Sequence, residues 1–257
     1  MQVVGHNVVG DGDPRRLFVS DADPGDERGE LDAVALDPGA RLAYSLGPRR
    51  CAGTVADGVH RPCDAAAAPY CEAHRSTWVC ARCTGTCLKD EMDCHEDHAV
   101  YLAAFAPDAF KVGVTKERRL ETRLREQGAD RGAHLRTVED GRVAREIEAR
   151  LAERIPDHVR VERKRAGLGR TVDGAAWRDR LAEFDPIETY AFEYGLDLDG
   201  PPVAETLASG TVRETKGRLL VLDHRGSTYA VDIRDLVGHE LEPGGADRDL
   251  QASLNAF

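Results

Sequence analysis

No stretch of the 257 residues approaches the roughly 18 consecutive apolar side chains that a membrane-spanning helix requires. Met1-Gln2-Val3-Val4-Gly5-His6-Asn7 has neither a basic n-region nor a long apolar segment, so a secretory leader is not expected and the cytoplasm is the expected location. Aromatic residues are scarce, 5% of the chain, so any core must be built mostly from Ala, Val and Leu. Lysine is sparse beside arginine, and the formal charge is -11. Such a balance implies a solvated acidic surface and says little about partners, so local charge carries more information. No loop has the glycine spacing of a dinucleotide site, because Gly167-Leu168-Gly169 is too short and reads as a turn.

Cysteine is absent from most of the chain and crowded into one part of it. All seven lie between Cys51 and Cys94. An odd number of thiols in one short segment, with no secretory leader, fits metal ligation better than disulfides. The spacings are Cys51-x11-Cys63-x7-Cys71-x2-His74 and Cys80-x2-Cys83-x3-Cys87-x6-Cys94. Zinc takes four tetrahedral S or N ligands, and short Cys-x2-4-Cys steps let one tight turn present two of them. Eight ligands suffice for two closed, structural zinc sites: Cys51, Cys63, Cys71 and His74 in one, Cys80, Cys83, Cys87 and Cys94 in the other. An interleaved pairing stays open, as does His60, His95 or His98 in place of His74. A set of reduced thiols and an iron–sulfur cluster are the competing readings. Residues 51–98 contain few large apolar side chains, so metal would have to replace a hydrophobic core there.

The rest of the chain divides by pattern. Residues 1–50 form an N-terminal β segment, with short runs at Arg16–Val19 and Arg41–Tyr44. Residues 51–98 are the two-zinc module. Residues 99–184 hold two strand-like runs, Ala99–Leu102 and Phe110–Thr115, and then helices over about 116–127 and 142–155. On the second strand Phe110, Val112 and Val114 share one face and Lys111, Gly113 and Thr115 the other. The second helix has an apolar stripe of Val143, Ile147, Leu151 and Ile155, with Glu148 on its inward edge needing a partner. Residues 185–257 form a small β-barrel-like unit with a frayed tail. In it, Arg218–Leu222 and Thr228–Ile233 flank a turn at 224–227. The fold class is therefore α+β.

Two basic islands interrupt the acidic background. Lys111, Lys116, Arg118, Arg119, Arg123 and Arg125 face only Glu117 and Glu121, and Arg160, Arg163, Lys164, Arg165 and Arg170 face only Glu162. Such clusters contact phosphate. The competing reading is that they pair with acidic neighbours. A nucleic-acid partner, RNA or structured DNA bound without sequence readout, is expected from them, with a ribonucleoprotein as one setting and no membrane.

The segment 99–151 resembles the GIY-YIG nuclease superfamily. Ala99-Val100-Tyr101 stands where that family has GIY, Lys111-Val112-Gly113 where it has YIG, Arg123 with Gln127 resembles its helix Arg and later His or Tyr, and Glu148-x2-Leu151 its Glu-x2-Leu. The resemblance implies a Mg2+-dependent phosphodiesterase. Tyr101 would position or activate water, Arg123 would stabilise phosphate charge, Lys111 would add a phosphate contact beside Gly113, and Glu148 would bind the metal. Ala99 and Lys111 depart from the family's Gly and Tyr, and Arg123 comes about two residues late. A non-catalytic RNA- or ribosome-associated binding protein is the alternative that these departures suggest. His98-Ala-Val-Tyr-Leu-Ala, Lys111-Val-Gly-Val-Thr and Gln127-Gly-Ala behind a cysteine-rich module are also similar to an uncharacterised bacterial and archaeal family. The acidic, arginine-rich composition resembles that of proteins from salt-loving archaea.

Overall fold

The computed structural model describes residues 1–8, 14–75 and 96–245. The protein is mixed α+β, mostly sheet with few helices. It divides into two compact units, Met1–Ser76 with Tyr194–Phe257, and Thr77–Glu193. Among the described residues no helix is long and apolar enough to cross a membrane.

The first unit opens with strands β1 (Gln2–Asn7), β2 (Arg16–Ser20), β3 (Asp32–Ala35) and β4 (Arg41–Arg49), then the short hairpin β5 (Thr54–Ala56) and β6 (Val59–Arg61). The second unit follows with β7 (His98–Phe105), β8 (Ala109–Lys116), a 3-10 turn at Glu117–Arg119 and α1 (Leu120–Glu126). After these come β9 (Arg131–Val138), α2 (Gly141–Ala152), α3 (Val161–Ala166), α4 (Gly174–Leu181) and β10 (Glu188–Ala191). The chain then returns to the first unit as β11 (Val203–Ala204), β12 (Ala208–Lys216), β13 (Leu219–His224), β14 (Ser227–Asp232), α5 (Ile233–Leu236) and β15 (His239–Pro243).

In the first unit nine strands form one sheet in the order β11-β14-β13-β12-β4-β15-β1-β2-β3. Strand β4 is the junction. It pairs with β12 at Ala43↔Ser209 and with β15 at Leu46↔Leu241. Val3, Leu17, Leu42, Val212, Leu220, Val231 and Leu241 fill a common core. Segments 1–50 and 185–257, separate in the sequence reading, therefore supply interleaved strands to one sheet. Period-2 alternation says which face of a strand is buried, whereas the identity of its neighbour lies in backbone hydrogen bonds that the pattern does not encode. The expected hairpin near 224–227 forms as β13–β14, with His224 opposite Ser227. Arg225 and Gly226 both have positive φ, 48° and 80°, which is the two-residue turn whose twist matches paired strands.

The second unit is built on an antiparallel sheet in the order β10-β9-β7-β8. All eight residues of central β7 are buried. On one face Leu102, Ala104, Phe110 and Val112 join Ala133, Ile155 and Trp177 in a core. Lys111 and Gly113 alternate to the other face, as expected for β8. Residues 185–193 side with this unit through the β10–β9 pairing. Helix α2 packs on β7 and β8, and of the expected stripe Leu151 and Ile155 lie at the core while Val143 does not. Val143 is 42% exposed, and Ala144 and Glu148 are buried instead. The buried face therefore runs through Ala144, Glu148, Leu151 and Ile155, and departs from the expected stripe only in the first turns of the helix. Small Ala144 allows close approach to the sheet, and Glu148 tolerates burial because it has a partner.

Candidate functional site

Two groups of polar side chains are assembled, one in each unit. In the first unit, Cys51 follows β4 directly and begins a tight loop through Ala52 and Gly53. Gly53 has φ 64°, and a Cβ there would meet the Arg61 carbonyl oxygen at 2.0 Å, so glycine alone fits. The β5–β6 hairpin turns on Asp57 and Gly58, both with positive φ, and delivers Cys63 just beyond its second strand. A single turn over 71–75, with the Arg75 N–H donating to the Cys71 carbonyl at 2.8 Å, presents Cys71 and His74.

The ligand atoms of Cys51, Cys63, Cys71 and His74 all lie within 4.8 Å of one another. His74 Nδ1 is 3.5 Å from Cys51 Sγ and 3.2 Å from Cys71 Sγ. A tetrahedral zinc would hold such atoms about 3.4–3.8 Å apart, given bonds of about 2.1–2.3 Å, so the group needs only small shifts, outward for the closest pair and inward for the widest. Sulfur is already treated as an acceptor: the N–H groups of Gly53 and Cys71 donate to Cys51 Sγ at 3.4 and 3.2 Å. Desolvation opposes ionisation of Cys71, but hydrogen bonds from the His74 N–H and from the Cys51 and His74 side chains outweigh it and bring the thiol to about 7. Metal ligation uses the thiolate. This Cys3His group could bind a metal such as zinc. His60 and His98 are engaged elsewhere: His60 Nε2 lies 3.0 Å from the Ala52 carbonyl, and His98 Nδ1 lies 2.5 Å from the Glu96 carbonyl. Cys80, Cys83, Cys87, Cys94 and His95 lie outside the described residues.

In the second unit, Tyr101 stands on β7 opposite Gly113 on β8 and is 1% exposed. The ring lies across the glycine: a Cβ at Gly113 would be 2.4 Å from both Cζ and Oη. Gln127, just past α1, donates its Nε2–H to the Tyr101 hydroxyl. The Arg123 guanidinium is also in hydrogen-bonding reach of that oxygen, and Lys111 Nζ sits 5.9 Å from the ring centroid. Glu148 on α2 is coupled to both Tyr101 and Lys111 through charge and takes a hydrogen bond from Arg145 at 2.5 Å. Burial raises Tyr101, so its phenol stays protonated. Burial first, and Arg123 second, lower Lys111 to about 8.

The chain thus brings Tyr101, Lys111, Gly113, Arg123 and Glu148 into one cluster, with Gln127 and Arg145 added. Arg145 is absent from the sequence reading. Its spacing three residues before an inward Glu on a helix is the signal that could have found it.

The basic islands look different. Lys116 and Arg118 share Glu96, Arg119 and Arg123 share Glu126, Arg125 pairs with Glu121 at 2.9 Å, and Arg163 pairs with Asp108. Lys164 donates to the Gln127 carbonyl at 2.8 Å and lies 4.3 Å from the centre of the Phe105 ring, while Arg165 is half-buried on α3. Acidic neighbours therefore hold much of this charge. Exposed pairs of this kind are worth about 0–1 kcal/mol, so an arriving phosphate can exchange with such a carboxylate.

No curated protein and no solved structure matches the chain. A family model described as "Protein of unknown function (DUF2797)" matches residues 48–199, a span that takes in the Cys3His group and the whole Tyr101 cluster. That match covers more than half of the 257 residues, and the chain belongs to the DUF2797 family.

Proposed function

We propose that this protein is a zinc-stabilised nucleic-acid-processing protein whose Tyr101 cluster is a Mg2+-dependent phosphodiesterase site, as its GIY-YIG-like sequence implies. The convergence of Tyr101, Lys111, Arg123, Gln127 and Glu148 from β7, β8, α1 and α2 carries this reading. Zinc suits the closed sulfur and nitrogen set at Cys51, Cys63, Cys71 and His74, where no ligand position remains for water. A second zinc would use Cys80, Cys83, Cys87 and Cys94.

Glu148 fits Mg2+, a hard cation commonly held by one or two carboxylates with water and substrate phosphate completing its shell. When bound there, Mg2+ would supply Lewis-acid stabilisation of the leaving oxygen. The chain's own groups do the rest. Lys111 and Arg123 bind the non-bridging phosphate oxygens. Tyr101 accepts from Gln127 and lies within reach of Arg123, so its remaining capacity is the O–H donor. It therefore orients the attacking water or a phosphate oxygen by donating, and the water's proton passes to a non-bridging phosphate oxygen and on to solvent as the leaving oxygen departs.

The test mixes metal-analysed protein with Mg2+ and a panel of RNA, single-stranded and branched DNA. Cleavage that disappears in Glu148→Ala while binding persists is the expected result. No cleavage of any substrate, by wild type and across the panel, overturns the hydrolytic reading.

A non-catalytic RNA- or ribosome-associated binding role is the second reading. The Arg145–Glu148 ion pair favours it, because Arg145 already neutralises the proposed metal carboxylate. Arg145→Ala separates the two: it raises Mg2+-dependent cleavage if Glu148 is a metal ligand held in reserve, and only weakens binding if the cluster is a phosphate cradle.

A further inference from the structure

The second unit holds another cleft, on the side of β8 that carries Phe110. Its volume is about 470 Å³. The floor is apolar, from Phe110, Ile155 and Val159, and the rim carries the guanidinium groups of Arg160, Arg163 and Arg180. Phe110 is half-buried, offset-stacked on Trp177 with centroids 6.4 Å apart, and Arg180 lies over its ring at 5.7 Å. Arg163 and Arg180 are held by Asp108 and Glu183, whereas Arg160 is exposed and has no carboxylate partner among the described residues.

An apolar floor with an aromatic edge suits a planar base, and three arginines around it suit phosphate. Guanidinium planes also stack on bases, so Arg180 over Phe110 can extend the stack. The cleft is placed to work with the Tyr101 cluster. Strand β8 is an edge strand, and its Val112 N–H donates to the Pro156 carbonyl at 2.9 Å. The segment leading to Arg160 therefore runs beside β8. Phe110 and Lys111, adjacent on β8, point to opposite faces, so the cleft and the cluster flank one edge.

We propose that this cleft binds a nucleotide unit of single-stranded nucleic acid, with the base against Phe110 and Arg180 and its phosphate on Arg160 and Arg163. The inference rests on the nucleic-acid reading above and adds a substrate class to it: an unpaired strand next to the cleavage point. A base paired in a duplex would have no free face to offer the floor.

The experiment measures binding of fluorescein-labelled oligouridylate, oligothymidylate and a blunt duplex to the full chain by anisotropy, with no added Mg2+. Arg160→Glu and Phe110→Leu are each expected to weaken binding of the single strands roughly tenfold, the worth of one stacked base or phosphate contact. The duplex is expected to change less, and Arg150→Glu, a matched reversal on exposed α2 surface, is expected to change nothing. Comparing uridylate with thymidylate identifies whether RNA or DNA is preferred. Single-strand binding that is unaffected by Arg160→Glu overturns the cleft. If Lys111→Ala still weakens binding in that case, the Tyr101 cluster stands without it. If wild type binds none of the three probes, both the cleft and the nucleic-acid reading fail. Phe110→Leu counts only alongside an unchanged melting temperature, and Arg160→Glu, on the surface, decides the matter if that variant unfolds.

Discussion

The Cys3His group and the Tyr101 cluster are each a handful of polar side chains in a small space, yet they are held by different means. Around the metal ligands, β5 is fully exposed and only His60 of β6 is buried, so that hairpin has almost no apolar core of its own. Its geometry comes from backbone devices: Gly53, the Asp57-Gly58 turn, and amides that donate to sulfur. Around Tyr101 the reverse holds. Every residue of β7 is buried, and the cluster is positioned by a packed sheet and the helices on it. One site is a loop that a metal ion would tie together. The other is preorganised before any ligand arrives.

The comparison breaks most readily at the metal. Structural zinc contributes on the order of 10–16 kcal/mol in isolated zinc modules. Cys63→Ser is therefore expected to lower bound zinc by one equivalent and to abolish amide-exchange protection in β5 and β6, with protection in β7 retained. Metal analysis and hydrogen exchange check both. Unchanged zinc content with an unchanged melting temperature would mean that these four residues do not hold an ion.

Two glycines give the next largest effect and separate the two kinds of rigidity. Gly53→Ala must fit a Cβ at 2.0 Å from a backbone carbonyl, with φ 64°. Gly113→Ala instead meets the far end of the Tyr101 side chain at 2.4 Å, at ordinary φ. The first is expected to prevent ligand closure and release zinc. The second should cost about 1–3 kcal/mol, typical of overpacking, by displacing the phenol while the sheet survives. Thermal unfolding with zinc analysis measures both. Equal losses from the two variants would show that Tyr101 is as immobile as backbone.

How much of this was legible in sequence follows the same division. Cys51, Cys63, Cys71 and His74 could be named as ligands from type and spacing, because few other roles call for those residues so close together, but which ligands share a site, and which histidine joins them, needed the fold. Tyr101, Lys111, Arg123 and Glu148 could be gathered only through a resemblance, since each is an ordinary residue until strands and helices bring it to one place. Packing was the weak point. The apolar stripe lies inward at Leu151 and Ile155, but Val143 is exposed, and Glu148, expected on the inward edge, is buried there with Arg145 as its partner. Strand β9 has no counterpart in the sequence reading: Arg131, His134 and Arg136 interrupt its apolar alternation, and only its place beside β7 makes it a strand. The joining of β4 to β12 and β15 is long-range pairing, which local pattern does not contain.

The smallest expected effect sharpens the comparison through pH. Thiolate ligands compete with protons, so a zinc at Cys51, Cys63 and Cys71 would be held more firmly as pH rises. At the other site the sign is opposite. Lys111 is lowered to about 8 by burial and by Arg123, against the pull of Glu148 and Asp157, with Arg145 adding to the lowering. As pH passes about 8, Lys111 loses its charge and the cluster loses a phosphate contact. Affinity for a phosphodiester probe is then expected to fall about fivefold, near the value of one exposed charge pair. Stability moves the other way. Between about 8 and the unfolded lysine value of about 10.4, the unfolded chain binds a proton that the folded chain does not, so unfolding free energy rises with pH. Lys111→Met removes both dependences while leaving zinc retention unchanged. Probe affinity and urea unfolding, followed across that range for wild type and Lys111→Met, check the pair of opposite slopes. A wild-type affinity that stays flat through pH 8 would mean that Lys111 keeps its charge or takes no part in holding phosphate.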